Sequence, residues 1–203
     1  MADLKIGFLF LAAGASSRMR GSDKLLEKIN GVPLIQRTLN EALKLNFPVF
    51  VTVPANDTDR KVIISKTNAI AIEVECPDLG MGHSIAQGLI EITKTAALSS
   101  LAICPSDLPG LKTQSLNKLI SYFLKRPEMI CRPVKNGHLL TGHPVIFPKR
   151  YFQQLKLIHG DKGANNIIQR NRKFLNNFDT DDESYFKDLD TPEDFANWAN
   201  YKS

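Results

Sequence analysis

A chain of 203 residues with 43% hydrophobic and 23% charged residues can bury a sizeable core without disulfides or metal, and fits a single domain over 1–203. No stretch approaches the roughly 20 apolar residues of a membrane-spanning helix, and the net charge of +5, spread without basic clusters, suits anionic small molecules rather than nucleic acid or a membrane surface. The cysteines, Cys76, Cys104 and Cys131, are odd in number and outside any CxxC pattern, so they are expected as buried small side chains in a reducing cytoplasm, not as disulfides or zinc ligands.

The first element is the continuous apolar run "KIGFLFLAA", which reads as a strand buried on both faces. A lysine, an apolar core and small residues also give it the outline of a secretory leader. A single lysine is a weak charged region, however, and the run leads straight into a Gly/Ser turn and a helix. "PLIQRTLNEALKL" follows as a helix, with Pro33 at its start and Ile35, Leu39, Ala42 and Leu43 on one face. "PVFVTVP" is a second strand, "DRKVIISK" a helix, "AIAIEV" a third strand and "SIAQGLIEITKTA" a helix with Ile85, Leu89 and Ile92 at helical spacing. "SLAICPSD" is a fourth strand. "TQSLNKLISYFLKR" is an amphipathic helix with Thr113 as its expected N-cap. Strands alternating with helices imply βαβ units on a largely parallel sheet. After Pro127 the rhythm changes. "EMICRPVKNGHLLTGHPVIF" reads as paired strands turning at Asn136-Gly137, and "RYFQQLKLI" as helical. "TPEDFANWANY" closes the chain as a helix with Thr191 as N-cap and Pro192 at its first position. No repeat, linker or low-complexity tract divides the chain.

Several stretches carry residues suited to chemistry. "LAAGASSRM" with Lys24 lies at the carboxyl end of the first strand, where open α/β sheets bind ligands. Gly14 allows a sharp turn and close approach, successive N–H groups can cradle phosphate, Arg18 can grip it as a fork and Lys24 adds a point charge. The alternative is a plain strand-to-helix turn with solvated cations. Neither G-x-x-x-x-G-K-[ST] nor G-x-G-x-x-G is present, which argues against a Walker-type kinase or a dinucleotide-dependent oxidoreductase. In "CPSDLPGL", Asp107 ends the fourth strand at the same edge and can hold Mg²⁺, or merely cap a turn. In "KDLDTPEDF", Asp188 and Asp190 are read as pointing to opposite faces of an extended segment, one joining Asp107 on a metal and the other structural. "DLGMGHSIAQGL" places Ser84 at a Gly-flanked helix N-terminus that favours anions. Gly142 and His143 of "GHPVIF", with Asp161, Lys162 and Gly163 of "HGDKGANNII", can shape a polar pocket for a second substrate.

Taken together, "LAAGASSRMRGSDKLL", "GMGHSIAQGL", "CPSDLP", "GHPVIF", "GDKGA" and "DLDTPEDF" resemble, in order and over nearly the whole chain, the MobA-like NTP transferase family, especially CTP:molybdopterin cytidylyltransferases. The resemblance implies a Rossmann-like, three-layer nucleotide-diphospho-sugar transferase fold with a mostly parallel mixed sheet. It implies nucleotide contacts from Leu11, Ala12, Ala13, Gly14 and Ser84, catalytic Arg18, Lys24 and Asp107, Mg²⁺ on Asp107 and Asp190, and an acceptor near Gly142, His143, Asp161 and Lys162. The partners it implies are CTP or another NTP, a phosphorylated acceptor such as molybdopterin, and a molybdoenzyme that receives the product. Three departures stand out. Arg20 is inserted before Gly21, as a third phosphate contact or a solvated side chain. Asn165 stands where the family often has Arg. Ala13 follows the "LAAG" form rather than the "LAGG" form associated with guanylyl transfer. The expected chemistry is attack by an acceptor phosphate oxygen on the α-phosphorus of an NTP, which requires no Ser/His/Asp or Cys/His machinery. Two alternatives remain: the same transfer to a sugar phosphate or another phosphorylated acid, and a non-catalytic chaperone for a phosphorylated cofactor.

Overall fold

The structure, a computed structural model, describes residues 5–137 and 139–201. The apolar opening run forms strand β1 (Ile6–Leu11), which pairs in parallel on both sides. Its side chains alternate between two cores. Phe8 and Phe10 enter one core, and Leu9 enters the other. This is why the run reads as continuously hydrophobic: both faces of a parallel sheet are covered.

From β1 the chain passes through a small hairpin, β2 (Lys28–Ile29) and β3 (Val32–Pro33), into α1 (Leu34–Leu43). The hairpin turns at Asn30 and Gly31, both with positive φ, and sequence reading did not anticipate it. Then come β4 (Val49–Pro54), α2 (Thr58–Ile64), β5 (Ile70–Val74), α3 (Met81–Thr95), β6 (Ser100–Pro105) and α4 (Thr113–Phe123). The last stretch holds β7 (Ile130–Lys135), β8 (Leu140–Thr141), β9 (Val145–Pro148), α5 (Phe152–Leu155), α6 (Asn165–Arg170), β10 (Leu175–Asp179) and α7 (Pro192–Tyr201).

The sheet order is β10-β7-β9-β6-β1-β4-β5, with β8 on β7. β5, β4, β1 and β6 are mutually parallel, β9 runs antiparallel to β6 and to β7, and β10 is parallel to β7. The expected mostly parallel mixed sheet is therefore present. α1, α2, α4 and α7 pack on one face, and α3, α5 and α6 on the other, so the molecule has three layers. The order reverses at β1, whose neighbours β4 and β6 are reached by connections in opposite directions. The carboxyl ends of β1 and β6 therefore flank the crevice where such sheets take ligands.

Local details differ from expectation for physical reasons. Thr113 is not the N-cap of α4 but its first residue. Lys112 holds the cap position, and Glu41 of α1 accepts the Thr113 N–H (2.9 Å) and hydroxyl (2.8 Å) in its place. Pro33 precedes the first turn of α1. α3 begins at Met81, three residues before Ser84. "RYFQQLKLI" forms a 3₁₀ turn and a single α-turn. The Thr191 cap holds: its hydroxyl and the Asp194 carboxylate exchange bonds with each other's backbone N–H groups. Cys104 and Cys131 are buried as expected, and burial pushes the Cys131 thiol up to about 12. Cys76 is exposed, because it lies beyond β5 on a left-handed turn.

Candidate functional site

Leu11 and Pro105 are directly opposite each other in the β1–β6 ladder, so the two following loops leave the sheet side by side. Between them opens a cleft of about 620 Å³. Ala13, Gly14, Arg18, Lys24, Ser84 and Asp107 line it, and His143, Asp161, Asp188 and Asp190 reach it from the far half of the sheet. Ala12 does not. It is buried, and its carbonyl accepts from Arg60. Gly142 and Lys162 line an adjoining chamber of about 390 Å³ that shares Leu11, His143 and Asp161 with the cleft.

The charged centre is compact. Lys24 Nζ donates to Asp107 Oδ2 at 2.5 Å and to Asp190 Oδ1 at 2.6 Å. Arg18 lies 2.6 Å from the other Asp190 oxygen. Burial opposes the Lys24 charge, but the Asp107 and Asp190 carboxylates outweigh it and hold the ammonium's pKa above its ordinary value. Burial, then the Asp107 and Asp190 charges, push the Asp188 carboxyl up.

Asp188 and Asp190 do not diverge. Oxygens of Asp107, Asp188 and Asp190 lie within 4.8 Å of one another. In an extended segment it is positions two apart that share a face. Leu189 between them is fully buried, which turns both acids toward the cleft. Leu189 N–H also donates to the Asp107 carbonyl (3.1 Å), fixing the two loops together.

Three hard oxygens at this spacing fit Mg²⁺ or Mn²⁺. The buried Asp107 Oδ1 has no hydrogen-bond partner among the described residues, which leaves it available as a ligand. Lys24 meanwhile places its own positive charge among the same carboxylates.

The loop that carries Lys24 is held from behind by Arg60, which sequence reading missed. Arg60 is 4% exposed. Its guanidinium donates to Ala12 O (2.5 Å) and Asp23 Oδ2 (2.7 Å) and lies 3.1 Å from Asp57. Asp23 in turn accepts from Ser16 Oγ and from Leu25 N–H, both at 3.0 Å. Burial works against the Asp23 carboxylate, yet Arg60 and these bonds leave its pKa below the usual range. The only available signal was that Arg60 and Ile64 share the buried stripe of α2.

Gly14 itself needs no left-handed φ. Ser16, Arg20 and Gly21 make that turn, and a Cβ on Gly14 would meet nothing within 4 Å, so the space above it is open to a ligand. Arg20 points away and pairs with Glu193 at 2.6 Å on the surface. Ser84 is the fourth residue of α3, and its N–H already bonds to Gly80 O. The glycines of "LGMGHS" and "HGDKG" serve a close contact. Gly82 N–H donates to Gly160 O at 2.7 Å, and a Cβ on Gly80 would fall 2.5 Å from both Asp161 Oδ1 and Gly160 C. His143 is driven toward its neutral form by burial, which outweighs the attraction of Asp107.

Comparisons with known proteins bear on the chain's family and fold. A family profile, the MobA-like NTP transferase domain, matches residues 8–174. A relative named "Probable molybdenum cofactor guanylyltransferase", from Pyrococcus horikoshii, is 27% identical over 151 residues, covering 74% of this chain and 71% of its own. Among solved structures, Rv0371c from Mycobacterium tuberculosis superposes with a TM-score of 0.80 at 22% identity, covering 97% of this chain and 98% of its own. The same protein has been solved in complex with manganese (TM-score 0.77, 20% identity, 97% and 98% covered). A CMP:2-keto-3-deoxy-manno-octonic acid synthetase complexed with CTP superposes at 0.74 with 15% identity, covering 98% of each chain. These structural likenesses bear on the fold alone. With the family profile spanning most of its length, the chain belongs to the MobA-like NTP transferases and is a nucleotidyltransferase.

Proposed function

We propose that this chain transfers a cytidylyl group from CTP to a phosphorylated acceptor, molybdopterin first among candidates, in a Mg²⁺-dependent reaction that releases pyrophosphate. The product would pass to a molybdoenzyme in the cytoplasm. One observation carries the reading: Asp107, Asp188, Asp190 and Lys24 meet at the carboxyl ends of β1 and β6, beside the open face of Gly14.

Two polyanions must be brought together, and their repulsion is the main obstacle. Lys24, largely buried, and the more exposed Arg18 supply positive charge for the triphosphate. Gly14 leaves room for the phosphates to approach the backbone. An acceptor phosphate oxygen, already anionic at neutral pH, bonds to the α-phosphorus, and the bond from that phosphorus to the bridging oxygen of the departing pyrophosphate breaks. Proximity and charge neutralisation are then the protein's whole task. Asp107, with Asp190 and Asp188, would hold the metal ion. When bound, the ion neutralises phosphate oxygens and the leaving pyrophosphate. His143, whose pKa burial lowers against the attraction of Asp107, borders the acceptor side.

Guanylyl transfer is the second reading, favoured by the name of the Pyrococcus relative. Pyrophosphate release measured with each of the four NTPs, against molybdopterin and a panel of sugar and acid phosphates, tests both. Release that requires CTP, an acceptor and a divalent ion is expected. Release with GTP alone selects the second reading. Tight nucleotide binding with no release under any pairing would instead indicate a cofactor chaperone.

A further inference from the structure

At the far end of the acceptor side, where β7, β8, β10 and α6 meet, lies a second pocket of about 520 Å³. Its lining contains two arginines, Arg132 and Arg172, with the carboxamides of Asn165, Gln169 and Asn177, and no acid. Every cation at the transfer centre has a carboxylate: Arg18, Lys24 and Arg60 are all ion-paired. Arg132 and Arg172 are different. Among the described residues neither forms an ion pair, and their polar partners are neutral amides, Asn177 Oδ1 at 3.1 Å from Arg132 Nε and Gln169 Oε1 at 2.7 Å from Arg172 Nε. Arg132 is partly buried. Burial, and then the Arg172 charge, pull its pKa down. Two guanidiniums lining one pocket without an acid make it positively charged, and a guanidinium is the side chain best shaped to grip an anion.

This pocket is not isolated. It shares Arg132, Thr141, Asn165 and Ile168 with the chamber beside the transfer cleft. That chamber is walled mainly by apolar side chains, among them Ile85, Ile103, Val145 and Phe147, with His143, Asp161 and Lys162 also in its lining. From the transfer centre the lining therefore runs through this mainly apolar chamber to the two arginines.

We propose that Arg132 and Arg172 form a second anion subsite for the acceptor, so that the acceptor is a phosphomonoester whose far end, beyond an apolar middle, carries a carboxylate or a second phosphate. The inference rests on the reading of the chain as a transferase acting on a phosphorylated acceptor. It assigns the acceptor's distal end by charge, leaves the transfer chemistry unchanged, and selects a phosphorylated acid or a bisphosphate over molybdopterin, whose pterin end carries neither group.

The test uses three ligand series of increasing chain length, titrated calorimetrically into the full chain in the presence of Mg²⁺: n-alkyl phosphates, ω-carboxyalkyl phosphates and alkanediol bisphosphates. At a preferred length, a doubly anionic ligand is expected to bind about tenfold or more tightly than its alkyl phosphate counterpart, the scale of a charge-assisted contact. Whichever second group gives the larger gain names it. The gain should vanish in Arg132→Gln and Arg172→Gln, which should keep alkyl phosphate affinity. Arg172 is exposed, so its variant keeps the test open should Arg132→Gln fail to fold. A gain absent at all lengths, or one surviving both substitutions, overturns the subsite while the transferase reading stands. Failure of all three series to bind overturns the acceptor reading and the subsite with it.

Discussion

The two halves of the sheet contribute unlike things to the site. The parallel half, β5-β4-β1-β6, is built from strands that follow one another through single helices. Its site residues, the Gly14 loop and Asp107, emerge directly from strand ends. The mixed half, β9-β7-β10, draws together segments distant in sequence. It supplies His143, the two arginines of the far pocket and, through the segment after β10, Asp188 and Asp190. Lys24 of the first half bridges an acid from each, Asp107 and Asp190. The charged centre therefore belongs to neither half. It is a seam, and variants along it should damage chemistry more than folding.

Asp107→Ala should have the largest effect. Turnover should fall by about 10³ or more, since the principal candidate for positioning the metal and phosphates is lost. The fold should survive, because the Asp107 carbonyl that accepts from Leu189 remains and Lys24 keeps Asp190. Pyrophosphate release and thermal melting check the two halves of this statement. A variant that melts normally yet turns over at the wild-type rate would remove Asp107 from the mechanism.

Lys24→Met tests the seam from the parallel half. Its rate should drop by about 10²–10³, as for the loss of one electrostatic contact to the developing charge. Manganese should bind the nucleotide-free variant about tenfold or more tightly, because an ammonium no longer competes for Asp107 and Asp190. Titration with Mn²⁺ followed by electron paramagnetic resonance reads this directly. Unchanged or weaker Mn²⁺ binding would show that the ammonium does not occupy the metal's place.

The same contrast explains what could be read from sequence. The parallel half was legible because each strand is a short apolar run followed by a helix, and Gly14 and Asp107 lie where such runs stop. The mixed half was legible only where a turn announced itself, at Asn136-Gly137. β10 went unseen because "LNNFD" is short and half polar, with no run to mark it. The hairpin at Asn30-Gly31 offered the same turn signal as the later one but was hidden between a loop and a helix. Asp188 and Asp190 were recognised as candidates, while their shared face depended on Leu189 pointing inward, a fact of packing. Arg60 lies 37 residues from Asp23 and 48 from Ala12, and no local pattern links them.

Arg60→Met therefore probes a contact that only folding reveals. Removing one partner of a buried ion pair typically costs 3–5 kcal/mol, and the partial exposure of Asp23 places this variant near about 3 kcal/mol. Misplacing the loop should also lower kcat/KM for the nucleotide by about 10–10². The KM for the acceptor should stay near its wild-type value, since the chamber proposed for the acceptor does not include this loop. Urea unfolding and steady-state kinetics separate the two effects. An acceptor KM that rose together with that of the nucleotide would mean general loosening.

The smallest effect should come from Glu41, far from the cleft in the parallel half. Burial disfavours its carboxylate, but bonds from Lys44 and from the first turn of α4 overcome that and hold its pKa down to about 2, from 4.5. A carboxyl whose pKa is lower in the folded state stabilises above its unfolded value, and the contribution fades as pH falls from there through the folded value. Glu41→Ala should lose about 1 kcal/mol at neutral pH, the usual cost of a lost helix cap. The gap to wild type should hold down to pH near 4.5 and narrow as the pH approaches 2. Turnover should not change, since Glu41 does not line the transfer cleft. Stability loss without activity loss here, against activity loss without stability loss at Asp107, would separate the residues that build the sheet from those that work at its seam.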